Sequence, residues 1–170
     1  KIKDIKKRKV KILIAGGLRG EKGYYRLPSI FKAFSQIIKN NKEDVSVEFL
    51  LEKNDKTSKG ILRRLFALKS LYTEIKIAKL EKGADPNKIS FNRFQPNMGD
   101  KEYTKLFDEA DILLLPYRLK SYQTRGSGVV ADGVLADKIF VYTEGIGMEN
   151  FLKYGNGLPS NSSTNFAENI

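Results

Sequence analysis

Neither cysteine nor histidine occurs in the 170 residues. Without cysteine there is no disulfide framework and no thiolate nucleophile, which suits a reducing compartment. Without histidine the chain lacks the commonest zinc ligand, the Ser-His and Cys-His dyads, and the side chain that titrates most readily near neutral pH. Long apolar runs are missing as well. The longest strongly apolar one, Ile112 to Pro116, falls far short of the roughly 20 residues that cross a bilayer. The basic start KIKDIKKRKVK is not followed by an apolar segment of membrane length, so neither a signal peptide nor a transmembrane span is expected. No internal repeat or low-complexity segment stands out.

What is present fits one soluble globular domain over residues 1–170, with 41% hydrophobic and 30% charged residues. The net charge of +11 is unevenly placed. Residues 1–11 carry +6, residues 53–82 carry another +6, and the rest sums to about −1. Two basic patches on a near-neutral body point to an anionic partner such as nucleotide phosphates, acidic lipid head groups or nucleic acid, with solvated lysine-rich helix faces as the plain alternative.

The apolar pattern alternates between strands and helices. VKILIAGG (10–17), VSVEFLLE (45–52), ISFNRF (89–94), DILLLPY (111–117) and KIFVYTE (138–144) read as five strands, most of them continuous apolar runs. Between them lie a helix opening near Pro28, with Ile30, Phe31, Phe34, Ile37 and Ile38 facing a core, and a long one over 58–82 with Ile61, Leu65, Leu68, Tyr72 and Ile75 along one stripe. Helices over 100–110 and after Gly128 follow. Buried strands alternating with helices imply an α/β fold with a doubly wound, Rossmann-like parallel sheet. PSNSSTN (159–165) reads as a loop before a last helix. The chain begins at Lys1 and stops at Ile170 soon after that helix opens, so a fragment of a longer protein is expected.

In such sheets ligands sit at the carboxyl ends of the strands. Two loops there are unusual. GGLRGEKG (16–23) is neither the dinucleotide fingerprint GxGxxG nor a P-loop closed by GK[ST]. It does combine flexible backbone with Arg19 and Lys22, which suits an anion held by amides and side-chain charge. In YQTRGSGVVAD (122–132), glycines 126 and 128 let a ligand approach the backbone, helix-start amides favour negative charge, and Ser127 adds a hydroxyl. Asp132 has the wrong sign for phosphate and the right one for sugar hydroxyls. The plain alternative for the first loop is a glycine-rich turn with exposed basic residues, and for the second a helix entry with Asp132 on the surface.

The ordered set of a glycine-rich loop ending in EKG, then ADILLLPYR, then SGVVADGVLADKIFVYTEGIGMENFLKYGNGL, resembles the C-terminal, donor-binding half of GT-B glycosyltransferases. It is most similar to the retaining family 4. The resemblance covers nearly the whole chain and implies roles position by position. Lys22 matches a phosphate-binding lysine, while Gly17 stands where the family has an arginine and Arg19 is the candidate substitute. Gly126, Ser127, Gly128 and Val129 match the loop whose amides meet the donor diphosphate. Asp132 stands at a ribose-binding glutamate, and Thr124 where the family has its other glutamate. Phe94, at the loop after the third strand, stands where the base is held. Arg118 and Arg125 have no strict counterpart and are assigned as extra phosphate contacts.

The resemblance implies transfer from a UDP- or GDP-type nucleotide-sugar to an acceptor glycan or lipid-linked sugar, with no metal and no cofactor. It further implies an N-terminal domain that completes the cleft, cytoplasmic location and peripheral contact at the inner membrane face. A degenerate, non-catalytic module used for partner binding or regulation is the alternative. Nucleic acid is not an expected partner, because no nucleic-acid motif appears and the aromatics read as buried.

Overall fold

The computed structural model describes residues 9–16, 19–40, 45–53, 61–96 and 98–170. Its strands are β1 Val10–Ile14, β2 Val47–Glu52, β3 Ile89–Phe94, β4 Ile112–Leu115, β5 Ile139–Thr143 and β6 Gly157–Ser160. They form one sheet in the order β3-β2-β1-β4-β5-β6, and every neighbouring pair is parallel. The helices are α1 Leu27–Asn40, α2 Ile61–Gly83, α3 Asp100–Glu109, α4 Leu119–Tyr122, α5 Gly128–Leu135 and α6 Ser163–Glu168. This is the doubly wound, Rossmann-like arrangement that the alternating pattern implied.

Successive strand residues point to opposite faces, so a strand covered on both sides must be apolar throughout. β1 shows this directly. Ile12 and Ile14 join a core with Ile30, Phe31 and Phe34 of α1, Ile77 of α2 and Phe166 of α6. Leu13 joins a second core with Phe107 of α3, Tyr122 of α4, and Val129 and Val130 of α5. α1 presents Ile30, Phe31, Phe34 and Ile38 to the first core at helical spacing, as its sequence suggests.

Three readings of the sequence change. A sixth strand, β6, pairs with β5 from Phe140↔Gly157 to Thr143↔Ser160. It takes in the first two residues of the stretch read as a loop, and α6 begins inside that stretch at Ser163. Its proline at 159 hid it, yet an edge strand can lack one N–H without breaking a ladder. Second, the apolar stripe of α2 faces outward: Leu68, Tyr72 and Ile75 are exposed, while Thr73 and Ile77 are buried. The side chains of Ile61 and Leu65 lie outside the described set. Third, β1 ends at Ile14, and Gly17 lies outside the described residues. Among the described residues no helix is long and apolar enough to cross a membrane.

Phe49 of β2 anchors the first core. It is fully buried, with ring centroids 4.6 Å from Phe31, 5.5 Å from Phe34 and 5.4 Å from Phe91. Phe49→Ala is expected to lower unfolding free energy by about 3–5 kcal/mol, read from urea denaturation. A loss under about 1 kcal/mol would show that this cluster does not hold the sheet to its helices.

Candidate functional site

The strand order reverses between β1 and β4, and the crevice above such a reversal is where this fold places ligands. The loops leaving these two strands are bound to each other. Arg118 donates its backbone N–H to the Glu21 carbonyl at 3.0 Å. Gly23 takes a left-handed φ of 78° against the Pro116 carbonyl, where a Cβ would collide. Gly16, at φ 91°, lies under the Lys22 ammonium, and a Cβ there would strike Nζ. The left-handed conformation favours glycine at both turns, and at Gly23 the backbone carbonyl also leaves no room for a Cβ.

Lys22 sits on the short 3-10 turn Gly20–Lys22 and is only 8% exposed. Its Nζ donates to the Tyr117 hydroxyl at 3.3 Å and lies 5.1 Å from the centre of that ring. The Tyr117 hydroxyl in turn is 3.0 Å from Ser127 Oγ. A buried chain therefore runs from the loop after β1, across the end of β4, to the start of α5. Burial first, and then the Arg19 guanidinium, pull the Lys22 ammonium down to a pKa of about 8; Arg125 acts in the same direction more weakly. Burial holds the Tyr117 hydroxyl well above its usual value, so it stays protonated.

Ser127 caps α5 in an extended conformation, and its carbonyl accepts from Val130 and Ala131. The amides of Gly128 and Val129, at the very start of the helix, have no partner within it. Ser127 donates its own N–H to the Met148 sulfur at 2.9 Å. A thioether is a weak acceptor, so an anionic oxygen would be a stronger partner for that amide. Gly126 and Gly128 are exposed, and Val129 is buried beneath the loop.

Asp132, one turn further along α5, accepts from the Tyr103 hydroxyl of α3 at 3.2 Å. Burial, and then the Asp132 carboxylate, push Tyr103 up to about 12. Arg19 is exposed, donates to the Gly16 carbonyl at 3.1 Å and pairs with Glu21 at 3.5 Å. Arg125 is exposed with its guanidinium 5.4 Å from the centre of the Tyr122 ring. The structure thus gathers Arg19, Lys22, Arg125, Ser127, Gly128 and Val129 at one end of the sheet, with Asp132 beside them on α5. Phe94 is the last residue of β3 rather than part of the loop after it, and it packs partly buried against the second core. Thr124 is exposed, and Gly17 lies outside the described residues.

Arg118 lines a different space. A cavity of about 560 Å³ is bounded by Arg26, Tyr117, Arg118, Thr143, Glu144 and Asn161, among others. Arg26 donates to Thr143 Oγ1 at 3.1 Å and to the Asn161 carbonyl at 3.4 Å. The sequence does not mark Tyr117, Tyr103 or Met148 as site residues. Each comes from an element remote in the chain, and an aromatic or methionine in an apolar run reads first as core. Among the described residues, no group of three or more carboxylates is placed to hold a metal ion.

The Lys22 shift has a consequence for folding. The unfolded lysine titrates near 10.5 and the folded one near 8, so the unfolded chain binds the extra proton between these values. Stability should therefore rise as pH climbs from about 8 to about 10.5. Lys22→Met should be more stable than the parent near neutral pH, by up to about 3 kcal/mol, with the gap closing across that window. Denaturant unfolding at several pH values measures both. A Lys22→Met variant less stable near neutral pH would contradict the assignment.

A scan against protein-family models finds no match, and neither does a search of curated proteins. Solved structures do match. An apo structure of OtsA aligns over 96% of this chain and 35% of its own, at 13% identity and a TM-score of 0.68. A UDP-forming α,α-trehalose-phosphate synthase from Burkholderia xenovorans aligns over 94% and 35%, at 12% identity and 0.71. A trehalose-6-phosphate structure from E. coli bound with UDP-2-fluoro glucose gives 94%, 35%, 12% and 0.70. The chain spans about a third of the length of each. Identities this low speak to fold, and the structures found do not single out family 4. The chain has the fold of one half of the GT-B glycosyltransferase architecture.

Proposed function

We propose that this chain is the donor-binding domain of a nucleotide-sugar-dependent glycosyltransferase and that it holds the nucleoside diphosphate of a UDP- or GDP-type donor. The observation that carries the reading is the buried Lys22–Tyr117–Ser127 chain, set above the strand reversal and beside the first amides of α5. Cations and helix-start amides fixed before the ligand arrives suit a diphosphate whose negative charge grows as the sugar departs. Lys22 and Arg19 meet its oxygens from one side. Ser127, Gly128 and Val129 meet them from the other, and Arg125 closes over the top. Asp132, held by Tyr103, accepts from the ribose hydroxyls, and Phe94 borders the base. The motif likeness to family 4 supports retention of configuration without a metal. It also supports an acceptor glycan or lipid-linked sugar, brought by an N-terminal domain that completes the cleft, in a cytoplasmic setting such as polysaccharide biosynthesis. The trehalose-phosphate synthases that share the fold, including one bound with UDP-2-fluoro glucose and one in complex with glucose-6-phosphate, support a nucleotide-sugar donor and an anionic or glycan acceptor.

One observation favours a second reading. Thr124 stands where the family resemblance asks for an acid, so a non-catalytic module that binds nucleotide and acts through partners fits the same site. Activity of the longer protein separates the two: turnover lost in Lys22→Ala or in a bulky replacement of Ser127 supports the enzyme.

Nucleotide binding is tested on the chain itself. Titrating UDP and GDP while following backbone amide resonances should move signals at residues 126–132 at millimolar ligand, with no sugar transfer by this chain alone. Lys22→Ala should weaken binding about 10- to 100-fold, the worth of one hydrogen bond to a charged group. Affinity of the parent should fall as pH rises above about 8, because the free lysine titrates there and binding needs its charge. The Lys22→Ala variant should lack that slope. Unperturbed amides at 126–132 would overturn the proposal.

A further inference from the structure

The long helix α2 carries an unpartnered face. Leu68, Leu71, Tyr72 and Ile75 are 63%, 51%, 59% and 47% exposed, whereas Thr73 and Ile77 are 6% and 0% exposed. At about 100° per residue, the four exposed apolar residues fall within one stripe, and Ile77 lies roughly opposite Leu68. The stripe therefore points straight away from the core, not along its border. Isolated exposed leucines need no explanation; four side by side on consecutive turns do.

Charge on the helix is sorted as well. Its two acids in this region, Glu74 and Glu81, both turn to Arg93 of β3, at 2.9 Å and 2.7 Å. Their charge is spent against the sheet. Lys76, Lys79 and Lys82 are exposed. Lys79 and Lys82 continue the apolar stripe toward the helix C-terminus, and Lys76 places its ammonium 4.3 Å from the centre of the Tyr72 ring. The outer face is thus apolar from Leu68 to Ile75 and positive beyond, with Glu74 and Glu81 withdrawn.

We propose that this face of α2 is a docking surface for an anionic lipid bilayer, independent of the nucleotide site. Leu68, Leu71, Tyr72 and Ile75 enter the boundary between head groups and acyl chains, and the three lysines meet lipid phosphates. The charge argues for the occupant: the exposed lysines that border and continue the stripe, with Glu74 and Glu81 both turned to Arg93, complement anionic head groups. A stripe of two turns supports reversible attachment, not permanent anchoring.

The chain has no tryptophan, so Tyr72→Trp installs a single reporter on the stripe. Its emission should shift to the blue on mixing with phosphatidylglycerol–phosphatidylcholine vesicles and stay unchanged with phosphatidylcholine alone. In co-sedimentation with the anionic vesicles, the double variant Leu71→Ser/Ile75→Ser should bind about tenfold more weakly or worse. Each of Lys76→Glu and Lys79→Glu should cost about fivefold or more. All four replacements sit on an exposed face, so unchanged thermal melting separates lost docking from lost folding. The proposal fails if anionic vesicles neither shift the reporter nor sediment the chain. It fails equally if both lipid mixtures bind alike. It fails, too, if the chain elutes as a dimer that Leu71→Ser/Ile75→Ser dissociates while vesicles leave the reporter unmoved, since the stripe would then be a self-association face.

Discussion

Two register pairs, Ile12 with Ile112 and Leu13 with Leu113, join the halves of the sheet. Everything at the carboxyl edge depends on that seam. From β1 the chain passes to β2 on one side, and from β4 to β5 on the other, so the two departing loops part above the seam and leave a crevice. The loops are then locked together by the Arg118–Glu21 backbone bond and by the fit of Gly23 against Pro116. A ligand meets one preformed surface rather than two independent turns.

Placing Lys22 on that surface costs stability. Its ammonium is largely removed from water, and burial together with the Arg19 charge outweighs Glu21 and Glu52 to lower its pKa. The neighbours mitigate this only partly. Tyr117 offers a neutral oxygen and the face of its ring, and passes the hydrogen bond on to Ser127. A cation held this way attracts a polyanion more strongly than a solvated lysine would, because little water must be displaced when the ligand binds. Met148 fits the same logic: its sulfur, a weak acceptor, takes the Ser127 amide.

The sheet was legible because buried parallel strands leave continuous apolar runs, and five of the six announced themselves. β6 did not, since Gly157 and Pro159 carry no strand signal and only the edge position makes them acceptable. The orientation of α2 was hidden for another reason. Apolar residues occupy both of its faces, so periodicity could not say which one turns inward; the pairing of Glu74 and Glu81 with Arg93 does. At the site, glycines and basic residues in loops stood out, and so did the helix start at Gly128. Tyr117, Tyr103 and Met148 did not, because their contribution exists only once distant segments meet. Arg118 lines the neighbouring cavity with Arg26, which Tyr117 also borders.

The link between Asp132 and Tyr103 bears on how much of a nucleotide the proposed site would hold. An aspartate is one methylene shorter than the glutamate of the resembled family, so reach is the difficulty. Tyr103 takes only one position on Oδ2, and an ionised carboxylate has about four acceptor sites. The remaining ones can accept from two adjacent hydroxyls while the tyrosine fixes the rotamer, which lowers the entropy lost on binding. A short side chain held rigidly can serve where a longer, mobile one would. Position 124 has no such compensation, because a threonine hydroxyl cannot supply negative charge. Under the proposed function, this edge accordingly suits a diphosphate and a ribose better than the transferred sugar.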